Sequence, residues 1–130
     1  MAEDEKLEIG SIIWADLTIP NAEEVKEFYT NVIGWKPEPV VMGEYNDYSM
    51  NSPDSGRTVA GVCHTKGVNA DLPPQWLLYF TVKDVDNSAE LCKKSGGKVI
   101  AGPRNMGKYG RYCVIQDTDG AVAALFSPLE

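Results

Sequence analysis

Residues 12–19 of the chain read IIWADLTI, and the sequence pattern begins with this stretch. Its β-branched and aromatic residues predict a strand, which ends at Pro20. Asn21 then stands at a helix N-cap position, and Glu24 follows three residues later at capping-box spacing. Apolar residues at helical spacing form one stripe beyond the cap: Val25, Phe28, Tyr29, Val32 and Ile33. Gly34 predicts the end of this helix.

The stretch after this helix is rich in strand and turn signals. Three short strands are predicted, over residues 35–41, 45–51 and 57–65. A polar stretch with two prolines, residues 66–75, is predicted to be a linker. The pattern then begins again with an apolar strand over residues 76–82 and a helix capped by Asp84 or Asp86.

The second helix is predicted to end at Gly96 and Gly97, and three more strands follow. They are predicted over Val99–Ile100, residues 111–115 and residues 122–127. Residues 117–120 read DTDG and predict the hairpin turn between the last two strands. Residues 102–107 contain two glycines and are interpreted as a flexible loop that could form a lid.

A constant offset of 63 residues relates the two halves of the chain. Four correspondences carry the repeat: Trp14 with Leu77, Asn21 with Asp84, Gly34 with Gly97, and residues 59–61 with residues 122–124. Each half reads strand, helix, strand, strand, strand. The sequence therefore predicts an α+β fold of two tandem βαβββ modules, which form an eight-stranded curved sheet with a central cleft and helices outside.

This repeat also sets the predicted domain boundaries. Residues 1–9 are interpreted as a flexible, charged N-terminal lead, and residues 10–128 as a single domain. Within it, module 1 spans about 10–65, the linker 66–75 and module 2 about 76–128.

Alternation along the strands selects the residues that should line the cleft. If Trp14 faces the cleft, so does Asp16, and the repeat adds Leu77 and Tyr79. The predicted ligand-binding residues are Trp14, Asp16, Tyr48, Leu77, Tyr79, Arg111, Cys113 and Phe126. Trp14 could provide a stacking platform for a flat or cationic ligand, or simply fill space. Asp16 could orient a ligand donor or pair with Arg111, or be a strand-end carboxylate bound to backbone; core packing is the alternative for the others.

Composition restricts the classes of partner. The 130 residues include 19 acidic and 12 basic side chains, for a net charge of −7. This charge argues against nucleic acid and against an anionic membrane surface, and it allows a cationic ligand or simply serves solubility. The N-terminus is charged rather than apolar, no apolar run approaches 18 residues, and the three cysteines show no C-x-x-C spacing. We therefore expect a cytoplasmic protein with reduced thiols.

Several short motifs occur in a fixed order from residue 10 to residue 128. They are residues 14–17 (WADL), Asn21 with Phe28 and Tyr29, residues 33–35 (IGW), 82–86 (VKDVD), 96–97 (GG), 110–111 (GR) and 117–121 (DTDGA). Together they resemble the vicinal oxygen chelate superfamily, which includes glyoxalase I, bleomycin-resistance proteins and extradiol dioxygenases. The resemblance implies the two-module fold described above. It also favours a homodimer, which an exposed sheet edge would assist.

The resemblance further implies a divalent metal held by side chains of the first and last strand of each module. The corresponding positions here are Trp14, Gly61, Leu77 and Ala124, which offer no oxygen or imidazole ligand. We therefore predict no metal and no other cofactor. His64 is the only histidine, and it could be a general base or an ordinary strand-end residue.

The sequence thus predicts a metal-free protein of this superfamily that binds a small organic ligand in its cleft. No catalytic residue is assigned, and the prediction leans against an enzyme. One alternative is a metal-dependent enzyme, a glyoxalase-type lyase or a dioxygenase, with non-standard ligands. Another is a metal-free enzyme that uses Asp16 or His64 as a base.

Overall fold

A computed structural model describes residues 7–128 and shows two helices and eight strands. Their order is β1 (Ile12–Ile19), α1 (Ala22–Ile33), β2 (Lys36–Val41), β3 (Asn46–Asn51), β4 (Thr58–His64), β5 (Trp76–Thr81), α2 (Val85–Lys94), β6 (Lys98–Met106), β7 (Gly110–Gln116) and β8 (Val122–Pro128). This order is βαβββ twice, so the predicted fold class is confirmed. A short 3-10 helix, Gly67–Asn69, lies in the predicted linker. Residues 1–6 of the predicted lead lie outside the described residues.

The chain forms two compact units. Among the described residues, unit 1 runs from Trp14 to Trp76, and unit 2 comprises residues 7–13 and 77–128. In unit 1 the strand order is β2-β3-β4-β1, and in unit 2 it is β5-β8-β7-β6. Gly10 and Ser11 belong with unit 2 because they exchange backbone hydrogen bonds with Thr81, each 2.8 Å long.

The two units repeat each other in strand register as well as in order. In unit 1 the parallel pair β1 and β4 aligns Asp16 with Gly61. In unit 2 the parallel pair β5 and β8 aligns Tyr79 with Ala124. Both members of the second pair lie 63 residues after those of the first. The offset seen in the sequence is therefore a repeat of backbone geometry.

Capping side chains begin both helices where the sequence predicts. The Asn21 side-chain oxygen accepts a hydrogen bond from the Glu24 N–H at 3.2 Å, and Asp84 accepts one from the Asn87 N–H at 3.1 Å. Gly34 ends α1 in the left-handed conformation, with φ of 91°, which is costly for a residue with a Cβ.

Each helix covers one face of its own strands. In unit 1 the residues buried with α1 are Ala22, Tyr48, Met50, Ala60 and Val62. In unit 2 the residues buried with α2 are Val85, Ala89, Cys113 and Leu125. Because successive strand residues alternate between faces, these two sets identify which residues lie on the opposite side of each unit. We call that side the helix-free face.

The apolar stripe predicted on α1 is only partly buried. Phe28 and Val32 remain 56% and 64% exposed. The helix is instead rotated so that Ala22 is fully buried and the Lys26 side chain is 13% exposed. A long lysine stem can cover apolar surface while its ammonium group reaches carboxylates, which explains why this rotation is tolerated.

The prediction for residues 98–107 is wrong. The short strand Val99–Ile100 and the loop over 102–107 are replaced by one long strand, β6. Its pairing with β7 shifts register around Gly102, which has a φ of 77°, and resumes where Arg104 pairs with Tyr112. An irregularity of this kind accommodates extra residues without ending the strand, so the glycine marks a bulge rather than a lid.

Asp117 closes the predicted hairpin between β7 and β8. Its carboxylate accepts hydrogen bonds from the backbone N–H groups of Asp119 (2.9 Å) and Ala121 (3.0 Å). These bonds hold the pKa of Asp117 below its ordinary value of 3.8. A carboxyl group with a lowered folded-state pKa stabilises the fold above its ordinary pKa, and this stabilisation is lost as the pH falls through the folded-state value.

We therefore expect the protection factor of the Ala121 amide, which corrects for the intrinsic pH dependence of exchange, to fall on acidification below that pH. Asp117→Asn keeps an acceptor oxygen but cannot titrate, so its exchange should lack this pH-dependent step. Hydrogen exchange read by NMR measures both proteins. Equal acid dependence in the two would contradict the role given to Asp117.

Candidate functional site

The helix-free face of unit 1 is organised by a hydrogen-bonded pair on β1. Trp14 and Asp16 are two residues apart, so they share a face, and the Trp14 indole N–H donates to the Asp16 carboxylate at 2.6 Å. Both side chains are half-buried. A hydrogen bond to a carboxylate is stronger than one between neutral groups, so it fixes the plane of the indole.

Gly61 on β4 makes room for this pair. It lies directly opposite Asp16 in the parallel register. A Cβ atom at Gly61 would overlap the Asp16 carboxylate oxygen and would lie 3.6 Å from the Trp14 ring. The position therefore requires glycine as long as Asp16 keeps this rotamer. From the sequence, Gly61 is only a position without a metal ligand. In the structure, Asp16 and Trp14 occupy the space that a side chain at residue 61 would fill.

A second carboxylate, from Asp47, lies at the neighbouring end of β4. It accepts the His64 backbone N–H at 2.9 Å and faces the His64 Nδ1 at 3.4 Å. Both side chains are buried, and Asp47 holds His64 at the end of β4. Burial, and then the negative charges of Asp16 and Asp47, raise the pKa of the Cys63 thiol between them.

The helix-free face of unit 2 is apolar and aromatic. Predicted residues on this face are all buried: Leu77, Tyr79, Ala124 and Phe126. The Tyr79 ring lies 6.4 Å from that of Tyr112, measured between centroids. Arg104 on β6 donates from Nε to the Tyr112 hydroxyl at 2.8 Å, and its guanidinium lies over the same ring at 5.3 Å. Sequence reasoning missed both Tyr112 and Arg104.

Three predicted site residues lie on the wrong side of the strands. Tyr48 is buried under α1, where its hydroxyl donates to the Glu23 carboxylate and Lys26 lies over its ring. Cys113 is buried under α2. Arg111 also faces α2, so the pairing with Asp16, one of the alternatives considered from sequence, is not observed. Two hydrogen bonds, of 2.7 and 2.9 Å, join it to Asp86 instead.

The register of the β7–β8 hairpin determines which face each β7 residue occupies. The observed register pairs Gln116 with Val122, and therefore Tyr112 with Phe126. Directly paired residues of antiparallel strands share a face. Phe126 and Cys113 therefore cannot both face the same side, and Phe126 selects Tyr112 as its neighbour.

The buried thiols should be chemically inert in the folded protein. Burial raises the pKa of Cys113 to about 11, so roughly 0.1% of it is thiolate at pH 8. We expect iodoacetamide to label Cys63 and Cys113, whose thiol pKa values are raised by burial, much more slowly than Cys92, as read by peptide mass spectrometry. Unfolding in urea should equalise the three rates. Fast native labelling of Cys63 would contradict the burial of its thiol.

Comparison with known proteins identifies the family. The model of the Glyoxalase/Bleomycin resistance protein/Dioxygenase superfamily matches residues 11–125. The chain belongs to this superfamily. The superfamily resemblance drawn from the sequence motifs is therefore confirmed.

Curated relatives are similar to this chain over part of their length. A Mycobacterium tuberculosis protein named "Putative glyoxylase CFP32" is 28% identical, over 93% of this chain and 45% of the relative. The anthracycline biosynthesis protein DnrV of Streptomyces peucetius is 30% identical, over 90% of this chain and 46% of the relative. The chain thus spans about half the length of the curated relatives it matches.

Solved structures share the fold at low sequence identity. A methylmalonyl-CoA epimerase variant of Streptomyces coelicolor, in complex with 2-nitronate-propionyl-CoA, has a TM-score of 0.60 and 16% identity, covering 95% of this chain and 100% of that one. The methylmalonyl-CoA epimerase of Mycobacterium tuberculosis has a TM-score of 0.57 and 15% identity, covering 98% and 95%. Identities this low establish the fold alone. Within residues 7–128, no helix is long and apolar enough to cross a membrane.

The superfamily's metal does not fit the residues present. The four implied ligand positions are Trp14, Gly61, Leu77 and Ala124, whose side chains offer no metal donor. At Gly61, moreover, the Asp16 carboxylate takes the space that a ligand side chain would need. Among the described residues, no group of three or more His, Cys, Asp or Glu side chains could hold a metal ion.

Proposed function

We propose that this protein is a metal-free member of the superfamily that binds a small organic ligand on the helix-free face of unit 1. The observation that carries the proposal is the Trp14–Asp16 pair seated on Gly61. It puts a rigid aromatic surface and a carboxylate where the resemblance implies metal ligands. We assign no catalytic residue.

Trp14 suits a stacking role because its position is fixed while its side chain stays half-buried. The hydrogen bond to Asp16 removes much of the rotamer freedom that binding would otherwise have to restrict. An indole face attracts flat rings and cations, typically by about 0.5–1.5 kcal/mol beyond area burial. Preorganisation of this kind favours binding over mere space filling.

The charge of the face points to the chemistry of the ligand. Asp16 and Asp47 both act on the thiol of Cys63, so two carboxylates lie close together on the same side of unit 1. The net charge of the chain is −7. A flat ligand that carries an ammonium group or another strong donor fits this surface best.

The relatives' names are compatible with a small organic ligand. One is named as a glyoxylase and another as an anthracycline biosynthesis protein. A structural neighbour was solved with an acyl-CoA analogue bound. The metal-dependent enzyme considered from sequence is not adopted, because the donor set does not support it.

Two further parts of the proposal concern location and assembly. We propose a cytoplasmic location, supported by three cysteines that are unpaired in the structure. We also propose a homodimer.

Binding of the planar cation proflavine tests the proposed function. We expect the wild-type protein to bind proflavine, and the bound dye to quench the tryptophan fluorescence of the protein. The anionic anthraquinone-2-sulfonate should bind at least about tenfold more weakly. Trp14→Ala and Asp16→Asn should each weaken proflavine binding by about tenfold. Isothermal titration calorimetry measures the affinities without depending on fluorescence.

Trp35→Phe is the matched control, because Trp35 packs with Tyr29 and Trp76 on the helix side of unit 1. It should keep the wild-type affinity. Native mass spectrometry of gently purified protein should in addition detect a retained organic adduct. Equal proflavine affinity in the wild type and Trp14→Ala would remove the assigned site, and failure of all probes and adducts would remove the binding function.

A further inference from the structure

Asp47 and His64 form a buried ionisable pair to which the proposed function gives no role. Both side chains are buried in unit 1. One carboxylate oxygen of Asp47 accepts the His64 backbone N–H at 2.9 Å, and the same oxygen lies 3.4 Å from the His64 Nδ1. A buried carboxylate is stabilised by hydrogen bonds and by nearby positive charge. The net charge of this pair therefore depends on whether the imidazole carries one proton or two.

The Asp47 carboxylate also acts on the ligand face. Tyr48 faces α1, so its neighbour Asp47 lies on the opposite, helix-free side of β3. The pKa of the Cys63 thiol is raised by burial, then by the charge of Asp16, and then by the charge of Asp47 and a hydrogen bond to it. One carboxylate, Asp47, therefore contacts His64 and also contributes to the negative potential of the face that holds Asp16.

The surroundings of His64 couple its charge to that of Asp47. The charged and titratable groups described on the elements around it are Asp47 of β3, Glu23 and Lys26 of α1, Cys63 of β4, and Tyr45 and Lys66 of the adjoining loops. The Tyr45 ring meets the His64 ring edge-on, with centroids 5.2 Å apart, and the Lys66 ammonium lies over the Tyr45 ring at 5.0 Å. Asp47 makes the direct contact, so an added proton on His64 creates an ion pair with it.

We infer that protonation of His64 weakens the binding of a cationic ligand to the helix-free face of unit 1. This inference rests on the proposed function. An imidazolium beside Asp47 compensates the charge of that carboxylate, so the face attracts a cation less strongly than when His64 is neutral. A cationic ligand that is bound at neutral pH is thereby released as the solution becomes acidic.

Thermodynamic linkage gives this coupling a second, reciprocal form. If the proton on His64 weakens ligand binding by some factor, the bound ligand must weaken proton binding by the same factor. The chain contains one histidine. Ordinary carboxyl groups titrate near pH 4, whereas imidazole titrates between about pH 5 and 8. A change in affinity between about pH 7.5 and 5.5 is therefore assigned to His64.

Calorimetric titration with proflavine, which stays a cation throughout this range, tests the inference. We expect the wild type to bind proflavine about fivefold more weakly at about pH 5.5 than at about pH 7.5. His64→Gln keeps an amide that can donate to Asp47 but cannot titrate, so its affinity should change by less than about twofold over the same range. Asp16→Asn is the matched control. It should bind more weakly at both pH values and should keep the fivefold change, because Asp47 and His64 are unchanged in it.

The single histidine also allows a measurement that needs no variant. Proton NMR follows the imidazole signal of His64 as the pH is changed, with circular dichroism to show that the protein stays folded. Saturating proflavine should lower the midpoint of this titration by about 0.7 pH unit, which is the fivefold factor on a logarithmic scale.

The outcomes separate this inference from the proposed function. Equal proflavine affinity at the two pH values, or a His64 midpoint that proflavine does not move, would overturn the inference and leave the ligand site in place. A pH dependence that persists in His64→Gln would overturn it as well, because another group would then be responsible. Absence of proflavine binding at both pH values would remove the proposed function and this inference together.

Discussion

Gly110→Ala is expected to lower the free energy of unfolding by about 3 kcal/mol, the upper end of the cost of overpacking a core. A Cβ atom at this position would overlap the backbone carbonyl oxygen of Ser127. It would also lie 2.5 and 2.7 Å from Cε1 and Cζ of Phe126. Gly110 pairs with Pro128 in the β7–β8 ladder, so the backbone cannot separate there without breaking the ladder.

Urea denaturation, followed by circular dichroism, measures this loss. Gly107→Ala is the matched control in the preceding turn. A Cβ there would meet no atom within 4 Å. The substitution should cost only the backbone strain of an alanine at a φ of 52°, which is about 1–2 kcal/mol. If Gly110→Ala costs no more than Gly107→Ala, the close packing of β8 on this glycine is not present.

Gly61→Ala is expected to displace Asp16 and to disrupt the site. The added methyl group cannot coexist with the observed Asp16 rotamer, so the carboxylate must move and release the Trp14 indole N–H. We expect destabilisation of about 1–3 kcal/mol, a shift in the Trp14 fluorescence, and about a tenfold weaker proflavine affinity. Fluorescence is measured with Trp35 and Trp76 replaced by Phe, which leaves Trp14 as the reporter.

A double-mutant cycle separates the clash from other effects of the substitution. In an Asp16→Ala background the carboxylate is absent, and the nearest atom to a Cβ at Gly61 is then in the Trp14 ring, at 3.6 Å, an ordinary contact. Gly61→Ala should then cost much less, so the two substitutions should couple by at least about 1 kcal/mol. An equal cost in both backgrounds would show that Asp16 does not depend on this glycine.

Local signals and the repeat were sufficient to predict the fold. Residue type and spacing predict Asn21 as the first cap and restrict the second cap to Asp84 or Asp86, because capping depends on contacts within one helical turn. The 63-residue offset then predicted the second module from the first. Gly102 was misread because a glycine with positive φ occurs both in loops and in bulges, and only the pairing of β6 with β7 distinguishes them.

The strand faces of the candidate residues agree with the prediction on β1 and β5 and are opposite to it on β3 and β7. Trp14 and Tyr79 lie on the helix-free faces because alternation along one strand suffices to place them. Tyr48 and Cys113 required the phase of a strand relative to its neighbour, which is set by hairpin register and by helix packing. The rotation of α1 about its axis could not be predicted either. The apolar stripe identifies one side of the helix but not which of its residues contact the sheet.

The Trp14–Asp16 pair stands where the resemblance implies metal ligands. Equilibrium dialysis against Mn²⁺, Ni²⁺ and Zn²⁺, followed by native mass spectrometry, tests whether this site holds a metal. We expect no divalent ion to bind at one per chain, in the wild type or in Asp16→Asn. One ion per chain in the wild type, lost in Asp16→Asn, would contradict this expectation, because Asp16 would then be a metal ligand rather than the partner of Trp14.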